Sequence, residues 1–396
     1  MTAEESKLIE QYADSDVNAL ALKLRDSDDV DSKFVLRQIA GRQIMRRKMP
    51  LWASNRDVQY PDHLPLEQCS SFFTAQYKKE IGERLLSSFD NCADLTGGFG
   101  VDFFVMSENF SHAVYAERNT DLYDVVRHNF EVLHRSNAEF LNSDGVDFIK
   151  NTTQRFNLVF IDPARRNSAG KKTVRIEDCE PDILLFQDVM IQKADMVMIK
   201  LSPMVDIADI TTKLHNVSEI HLVATANECK EVLVLLQNGY NSEPKIFTVN
   251  DNQRYTFILS NERECAANFF QSSDLRGKYL FEPNAAVMKS GAFKILTKDY
   301  NVCKLQASSH LYIADNDVKD FPGRRFKIVR AGQPKEFSGM GTANLAVRNF
   351  PEKAEILKKK LKIRDGGNIF LFATTLYNGS KALIQCNKVE KLQFFC

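Results

Sequence analysis

Two kinds of motif that would narrow the function of this protein are missing from its sequence. The eight cysteines, at positions 69, 92, 179, 229, 265, 303, 386 and 396, include no C-x-x-C pair, which argues against a zinc site or a disulfide framework and indicates reduced thiols. No apolar run approaches about 18 residues, so no transmembrane helix is predicted, and the acidic N-terminus does not match a signal peptide. We therefore expect a soluble, cytoplasmic protein without a metal or membrane partner.

Net charge is lacking as well, because 52 Lys and Arg residues balance 52 Asp and Glu residues. A neutral total gives by itself no sign of a nucleic-acid partner. No internal repeat is visible in the 396 residues, and hydrophobic residues make up 44% of them, which is ample for real cores. The length exceeds that of an ordinary single domain, so we expect two or three domains.

The most informative stretch is residues 92–102, with the sequence CADLTGGFGVD. It predicts a short buried strand that ends at Asp94, a glycine turn and the start of a helix. A dinucleotide-binding turn needs a further glycine three residues after Gly100, where this chain has Phe103. The spacing D-x-T-x-G-x-G from Asp94 instead resembles the first motif of class I S-adenosylmethionine methyltransferases, with an ordinary strand-to-helix turn as the alternative.

Acidic residues follow three further strand-like runs, at the points where the runs end. Glu117, Asp144 and Asp162 each close a short apolar run. The carboxyl ends of parallel strands meet at one sheet edge, and doubly wound sheets bind their ligands there. Glu117 follows the glycines by roughly 20 residues, where an acid can accept both ribose hydroxyls of a nucleoside cofactor, and Asp144 can meet an adenine amine. The pattern predicts an α/β fold with a Rossmann-like sheet.

Later strand-like runs continue this pattern. Residues 195–202 and 219–225 predict the fifth and sixth strands of the sheet, and residues 232–236, 246–249 and 255–259 predict antiparallel strands at its edge. Residues 293–296 and 310–314 predict the short strands of a small α+β module. Residues 1–90 have a mostly helical pattern.

The last part of the chain, residues 324–396, is strongly basic. It contains fifteen Lys or Arg residues against five Asp or Glu residues, an excess of ten positive charges in a neutral protein. Such a concentration of positive charge in one part of a neutral protein favours a nucleic-acid-binding module over a merely solvated basic face. The densest cationic run supplies the candidate RNA contacts, Lys358, Lys359 and Lys360.

Four stretches together resemble a known group of proteins. They are the run DLTGGFG from Asp94, the run DPARR from Asp162, the run KLSP from Lys200 and the run LEQ that ends at Gln68. They are similar to bacterial class I S-adenosylmethionine-dependent methyltransferases with a THUMP-like C-terminal domain, which a ferredoxin-like module can precede. Residues 282–287 and 357–374 fit these two C-terminal parts, so the resemblance covers residues 66–396.

The resemblance implies an S-adenosylmethionine-dependent methyltransferase acting on RNA, either tRNA or rRNA, because true THUMP domains are RNA-binding modules. It implies a methyltransferase domain at 66–274, a ferredoxin-like module at 275–323 and a basic THUMP-like module at 324–396, and the helical pattern before them predicts an N-terminal helical region at 1–65. The predicted cofactor-binding residues are Gln68, Asp94, Thr96, Gly97, Gly98, Gly100, Glu117, Arg118, Asp144, Gly145 and Asp162.

The loop after the fourth predicted strand is the expected substrate wall, and Asp162, Pro163 and Lys200 are the candidate catalytic residues. Methyl transfer mainly requires that the nucleophile be held in line with the methyl group. Enzymes that methylate exocyclic amines typically carry Asp or Asn, two prolines and an aromatic residue in this loop. Here an alanine and Arg165 replace the second proline and the aromatic residue, and the loss of the aromatic ring removes a stacking platform for a base. Arg165 and Arg166 can instead bind a phosphate.

Two target atoms remain open, a base nitrogen, which we favour, and a ribose 2′-hydroxyl. The ribose reaction would use Asp162, Lys200, Glu228 and either Lys78 or Lys79 to deprotonate the hydroxyl. Pyrimidine C5 methylation would need a cysteine nucleophile, and the Asp162 loop contains none. The alternative functions are a small-molecule methyltransferase and a non-catalytic RNA-binding protein on a methyltransferase scaffold.

Overall fold

A computed structural model of the chain describes residues 2–24, 30–165 and 175–389, except for the side chain of Arg165. The chain divides into two compact units, the first with residues 1–218 and 233–241, the second with residues 219–232 and 242–396. Within the described ranges, no helix combines the length and the apolar character that a membrane crossing requires.

Helices and strands alternate along the first part of the chain. The helices are α1 (Ala3–Gln11), α2 (Val17–Lys23), α3 (Ser32–Lys48), α4 (Pro50–Ser54), α5 (His63–Gln68), α6 (Phe72–Leu85), α7 (Val101–Met106), α8 (Thr120–Val132), α9 (Gly145–Asn151), α10 (Gln187–Lys193) and α11 (Ile207–Lys213). The strands are β1 (Asn91–Asp94), β2 (His112–Ala116), β3 (Ala138–Leu141), β4 (Phe156–Ile161), β5 (Ala164–Arg165), β6 (Cys179–Glu180), β7 (Ala194–Leu201), β8 (Val217–Thr225), β9 (Glu228–Leu236), β10 (Lys245–Asn250) and β11 (Gln253–Ile258). Short 3-10 turns cover Ser107–Asn109, Ile176–Asp178 and Ile183–Leu185.

A nine-stranded sheet has the order β11-β10-β8-β9-β7-β4-β1-β2-β3. The strands β7, β4, β1, β2 and β3 run parallel, as their apolar, largely buried runs predict for a sheet covered on both faces. β1 has β2 on one side and β4 on the other, so Asp94 pairs in register with both Tyr115 and Phe160. The chain order reverses at β1, and a doubly wound sheet binds its ligand at that point.

The edge of this sheet differs from the sequence prediction. Ala226 and Asn227 have positive φ angles of 49° and 61°, and such a two-residue turn folds a strand back beside its predecessor. Residues 232–236 therefore belong to β9, an interior strand between β8 and β7, and β10 runs parallel to β8. The prediction of antiparallel edge strands was wrong for those two runs, and it is confirmed for β11, which pairs antiparallel with β10.

The N-terminal helices form part of the first unit rather than a separate body. α1, α2 and α3 share an apolar cluster that includes Ile9, Leu20 and Ile39. The indole of Trp52 packs edge-on against Phe99 of the glycine turn, with ring centres 5.1 Å apart. The helical region therefore supports the turn from the outside.

The second unit contains a further sheet and four helices among its described residues. The helices are α12 (Leu259–Glu264), α13 (Ala285–Ser290), α14 (Ile295–Asp299) and α15 (Ala354–Leu361), with a 3-10 turn at Pro334–Phe337. The strands are β12 (Tyr279–Pro283), β13 (Cys303–Lys304), β14 (Tyr312–Ala314), β15 (Gly323–Gly332), β16 (Gly341–Thr342), β17 (Asn344–Arg348), β18 (Ile363–Arg364), β19 (Ile369–Thr375) and β20 (Lys381–Lys388).

Seven of these strands form one sheet, with the order β13-β14-β12-β15-β20-β19-β17. Its pairs are antiparallel except β17 with β19. The strands predicted for the ferredoxin-like and THUMP-like modules thus belong to a continuous sheet, and Leu280 shares an apolar cluster with Phe326 and Ile384. The two C-terminal modules therefore fold around a shared core.

One predicted strand of this unit is a helix. The backbone N–H groups of Phe293, Lys294 and Ile295 all donate to the carboxylate of Glu262, at 2.9 to 3.1 Å. A carboxylate that satisfies the free N–H groups of a first turn stabilises a helix start. The strand predicted at 293–296 was wrong because this carboxylate comes from a different part of the chain.

Candidate active site

The glycine turn after β1 is held in place by bonds to β2. Gly98 and Gly100 have positive φ angles of 57° and 75°, a conformation that favours glycine. The N–H of Gly97 donates to the Ala116 carbonyl at 2.9 Å, and a Cβ on Gly97 would lie 2.1 Å from the ring of Tyr115. Glycine is therefore required at position 97 by close packing beneath the turn.

Glu117 joins the turn to the end of β2. Its Oε2 accepts a hydrogen bond from the Gly98 N–H at 2.9 Å, and its Oε1 accepts one from the Asn119 N–H at 2.8 Å. The following residue, Arg118, forms an exposed ion pair with Glu180 at 3.2 Å. The structure thus brings Glu117 to the glycine turn, while the described contact of Arg118 is made to the strand β6.

Asp144 and Gly145 form the start of α9, next to the same turn. Asp144 Oδ1 accepts from the N–H groups of Val146 and Asp147 at 2.8 and 3.3 Å, which is a helix N-cap. A Cβ on Gly145 would lie 2.0 Å from the Leu95 carbonyl oxygen. Gly145 therefore allows the helix to approach the backbone of the turn.

Asp94 is buried, with 2% of its surface exposed. Burial raises the pKa of its carboxyl well above the usual range, although the Thr96 N–H donates to its Oδ1 at 3.0 Å. The hydroxyl oxygen of Thr96 accepts a hydrogen bond from the Asp162 N–H at 2.6 Å. Thr96 therefore links the turn after β1 to the end of β4, and so brings the predicted cofactor and catalytic residues together.

A chain of four charged side chains leads inward from Asp162. Lys200 Nζ lies 2.6 Å from Asp162 Oδ2 and 3.3 Å from Asp102 Oδ2, and Lys78 Nζ lies 3.1 Å from Asp102 Oδ1. The hydroxyl of Ser70 donates to Asp102 at 2.7 Å. These four side chains together with Ser70 are called the Asp102 network below, which consists of Ser70, Lys78, Asp102, Lys200 and Asp162.

Burial increases along the Asp102 network. The side chain of Asp162 is 39% exposed, that of Lys200 is 12% exposed and that of Lys78 is fully buried. Burial by itself would raise the pKa of Asp102, but the charges of Lys78 and Lys200 and the Ser70 hydrogen bond outweigh it and lower this pKa to about 2. The network therefore keeps a buried carboxylate ionised between two ammonium groups and exposes a carboxylate at its outer end.

Sequence reasoning did not identify Asp102 or Ser70. One signal was available, because Asp102 interrupts the apolar run VDFFVM of α7, and every residue of that helix is buried. A charged residue in a fully buried helix needs a partner. Its partners lie on α6 and β7, so their identity depends on the tertiary fold.

The structure brings part of the quartet predicted for a ribose reaction together in the first unit. Lys78 and Lys200 belong to the Asp102 network, whereas Lys79 pairs with Glu108 at 2.5 Å. Glu228 belongs to the second unit, where it pairs with Lys230 at 2.6 Å.

Several other predicted residues lie at the surface or outside the described part. Gln68 is exposed at the end of α5, and no described contact ties it to the turn. Pro163 precedes the two-residue strand β5, which pairs antiparallel with β6. Arg166 and the side chain of Arg165 lie outside the described residues, so their phosphate contact stays a prediction.

The basic module neutralises part of its own charge. Within the module Lys358 pairs with Asp365 and Lys360 with Glu352, while Arg324 and Arg348 pair with Glu282 and Arg325 with Asp317 of the preceding module. Lys359, Lys362 and Arg364 are exposed and line a shallow depression of about 530 Å³ beside Lys358. Glu355 and Asp365 also line this depression, and both pair with Lys358.

Comparison with known proteins supports the same architecture. Residues 279–322 match a family of ferredoxin-like domains, and residues 323–388 match a family described as THUMP domain-like. A solved structure from Porphyromonas gingivalis W83, described as a candidate methyltransferase, is 29% identical, with a TM-score of 0.86 over 98% of both chains. No curated protein matches the sequence.

Two further solved structures are similar over part of the chain. A candidate methyltransferase from Streptococcus mutans, solved with S-adenosylhomocysteine, is 12% identical over 45% of this chain and 99% of its own, with a TM-score of 0.32. A candidate class I S-adenosylmethionine-dependent methyltransferase from Listeria monocytogenes is 10% identical over 63% of this chain and 93% of its own, with a TM-score of 0.37. These scores are too low to support a functional argument.

Proposed function

From the premise that the chain ends in a ferredoxin-like and a THUMP-like domain and shares its fold with a candidate methyltransferase over 98% of its length, we propose that it is an S-adenosylmethionine-dependent RNA methyltransferase. The observation that carries the proposal is the double linkage of the glycine turn. Gly98 bonds to Glu117 on one side, and Thr96 bonds to Asp162 on the other. The carboxylate that we propose for the ribose and the backbone of the candidate catalytic residue are therefore both bonded to a single turn.

The residues around the turn fit the cofactor in their chemistry. Glu117 holds two backbone N–H groups, and each carboxylate oxygen has a further lone pair that can accept a ribose hydroxyl. Both capping bonds of Asp144 go to Oδ1, and we assign the adenine amine to Oδ2. A Cβ at Gly98 would meet only the Thr96 carbonyl, at 3.6 Å, so the positive φ of Gly98, rather than crowding, makes a side chain there unfavourable.

When bound, S-adenosylmethionine supplies a methyl group that is ready for transfer to a nucleophile. The role of the protein is then to hold that nucleophile, because methyl transfer depends chiefly on alignment. Asp162 is half-buried, and its N–H bond to Thr96 fixes its backbone. Its carboxylate would accept a hydrogen bond from the target N–H or O–H, and Lys200 holds that carboxylate at 2.6 Å.

The target atom is assigned to a base nitrogen, with the ribose 2′-hydroxyl as the second candidate. A ribose reaction would need Lys200 to assist the loss of the hydroxyl proton. Lys200 lies between two carboxylates, Asp102 and Asp162, and such neighbours favour its charged form. A charged Lys200 suits a role in orienting Asp162 better than a role as a base, and this favours the base nitrogen.

RNA is proposed as the substrate because of the C-terminal module. Lys359, Lys362 and Arg364 present three exposed cations around the depression beside α15. Clustered Lys and Arg side chains bind phosphates by releasing counterions. A small-molecule methyltransferase would have no need for such a module.

The cofactor assignment is tested by calorimetry with S-adenosylhomocysteine on the full chain. We expect binding that Gly98→Arg abolishes, because an arginine side chain would occupy the face of the turn and would be strained at φ 57°. Gly239→Arg is the matched control, since Gly239 also has positive φ, at 77°, but has open space around it. Binding of NAD with no response to S-adenosylhomocysteine would overturn the assignment.

The chemical assignment is tested by Asp162→Ala and Lys200→Ala, assayed with labelled S-adenosylmethionine and total RNA from a strain that lacks the gene. Asp162→Ala should lower the rate by about a hundredfold or more and leave cofactor affinity nearly unchanged, because alignment rather than binding is lost. A loss in Lys200→Ala more severe than that in Asp162→Ala favours the ribose hydroxyl, and a milder one favours the base nitrogen, because a residue that only orients Asp162 should not matter more than Asp162 itself. Near-normal turnover in Asp162→Ala would make Asp162 a structural residue.

A further inference from the structure

The first turn of α6 exposes an aromatic ring. Phe72 is 47% exposed, although the same helix buries Tyr77 and Ile81. Single exposed apolar side chains are common and need no explanation by themselves. The exposure of Phe72 can be explained by its position in the chain relative to the proposed catalytic residues.

Phe72 follows Ser70 by two residues, and Ser70 belongs to the Asp102 network. Three successive contacts, of 2.7, 3.3 and 2.6 Å, lead from the Ser70 hydroxyl through Asp102 and Lys200 to Asp162. Two residues span at most about 7 Å of chain. Phe72 therefore lies two residues along the chain from a side chain that is hydrogen-bonded into the network ending at Asp162.

The backbone that carries Phe72 is rigid. Ser71 and Thr74 form a reciprocal capping box, in which each side chain accepts from the backbone N–H of the other residue, at 3.1 and 3.3 Å. Ser70 is fixed on the other side by its bond to Asp102. A ring held in this way loses little conformational entropy when a ligand stacks on it.

The loop after Asp162 provides no alternative ring. The sequence from Pro163 onward contains no aromatic residue before Phe186, and Phe186 is only 4% exposed. A nucleobase placed at Asp162 therefore needs a stacking partner from another element. The N-terminal turn of α6 supplies one that is exposed and fixed.

We propose that Phe72 is the stacking platform for the substrate nucleobase, and so a specificity-determining residue of the reaction. The proposal rests on the proposed function, because it assumes that the substrate is an RNA base positioned at Asp162. Stacking on an aromatic ring tolerates any base, since every base has a flat face. Phe72 then selects for a flat ring, and Asp162 selects the atom to be methylated.

The test uses the full chain with Phe72→Trp. The sequence contains a single tryptophan, Trp52, which is fully buried, so the introduced indole is the exposed fluorophore. The protein is saturated with S-adenosylhomocysteine to occupy the cofactor site, then titrated with a single-stranded RNA decamer of mixed sequence and with the abasic decamer. We expect quenching by the RNA and not by the abasic chain, because only a base can stack.

Leu22→Trp is the matched control, because Leu22 is 76% exposed on α2, a helix that packs on α3. Its indole should give the same signal with both decamers. In affinity measurements, Phe72→Ala and Phe72→Leu should weaken binding of the base-bearing decamer about tenfold, and Phe72→Tyr should preserve it.

Equal quenching by both decamers, or tight RNA binding without quenching, would overturn the proposal. So would an affinity in Phe72→Leu equal to that of the unaltered protein. Failure of S-adenosylhomocysteine to bind in calorimetry would instead refute the proposed function, and the two failures are read out separately.

Discussion

At the scale of single residues, removal of the Asp102 carboxylate should lower the free energy of unfolding strongly. It is the carboxylate between the buried Lys78 and the largely buried Lys200. Asp102→Asn would remove the negative charge that lies between the Lys78 and Lys200 ammonium groups. Breaking a buried ion pair in this way typically costs about 3–5 kcal/mol. We expect a loss of that size in the free energy of unfolding, measured by urea titration at neutral pH.

Glu108→Gln is the matched control for this substitution. Glu108 also contacts two cations, Lys79 and Arg135, but its side chain is 45% exposed. Exposed ion pairs contribute about 0–1 kcal/mol, so this variant should lose far less stability than Asp102→Asn. Equal losses in the two variants would mean that burial of Asp102 is not what matters.

The contribution of Asp102 should also depend on pH with a definite sign. Its pKa is about 2 in the folded protein, against roughly 3.9 in an unfolded chain. A lowered pKa stabilises the fold above the unfolded value, and this stability is lost as the pH falls towards the folded value. The stability difference between the unaltered protein and Asp102→Asn should be constant above about pH 5 and shrink from about pH 4 towards pH 2.

At the scale of elements, α15 combines a buried face with a basic one. Leu357 and Leu361 pack in the apolar cluster of the module, which leaves the lysines of the helix at the surface. Lys359→Glu combined with Lys362→Glu should weaken RNA binding about tenfold near 0.1 M salt and reduce the salt dependence by about two counterions, because two phosphate contacts are lost. Fluorescence anisotropy with a labelled RNA measures both quantities.

The control for this pair is Lys7→Glu combined with Lys33→Glu. These two lysines are exposed on α1 and α3, so the change in net charge is identical. If both double variants weaken RNA binding equally, the effect comes from overall charge and α15 is not a specific contact.

Several cationic side chains of α3 form ion pairs and hydrogen bonds with other parts of the first unit. Arg42 pairs with Glu10 at 2.8 Å, and Arg37 pairs with Asp62 at 3.3 Å. Lys48 donates to the carbonyls of Leu66, Glu67 and Cys69. These three side chains join α3 to neighbouring segments of the first unit, so their positive charges have partners within the protein.

At the scale of the whole molecule, the single tryptophan provides a reporter for the first unit. Trp52 is fully buried and packs on Phe99 and Phe104, next to the glycine turn. Ligand binding to the folded state stabilises it by about 2.7 kcal/mol at one hundred times Kd. When S-adenosylhomocysteine is added at that excess, the urea midpoint seen by tryptophan fluorescence should therefore rise by this free energy divided by the m-value. An unchanged midpoint with calorimetric binding intact would place the ligand away from this unit.

The α/β class, the parallel strands and the C-terminal modules could be predicted from the sequence, and these predictions are confirmed. The first two depend on local patterns, namely apolar runs of strand length, glycine at a turn, and acids at strand ends, whereas the C-terminal modules followed from the resemblance to a known family. The same patterns directed attention to Asp94, Glu117, Asp144 and Asp162, whose roles stay predictions. The edge of the sheet escaped prediction because apolar runs in β9 and β10 look alike whether they lie inside a sheet or at its edge.

What the sequence by itself determined is the local chemistry of the Asp94 turn, because a tight turn between a strand and a helix permits few residue types. What only the tertiary structure decided is the partner of each buried charge. Asp102 meets Lys78 from α6 and Lys200 from β7, and Glu262 starts α14 from outside that helix. Charges attract over distances set by the fold rather than by chain separation. Their pairing therefore follows from how the elements pack.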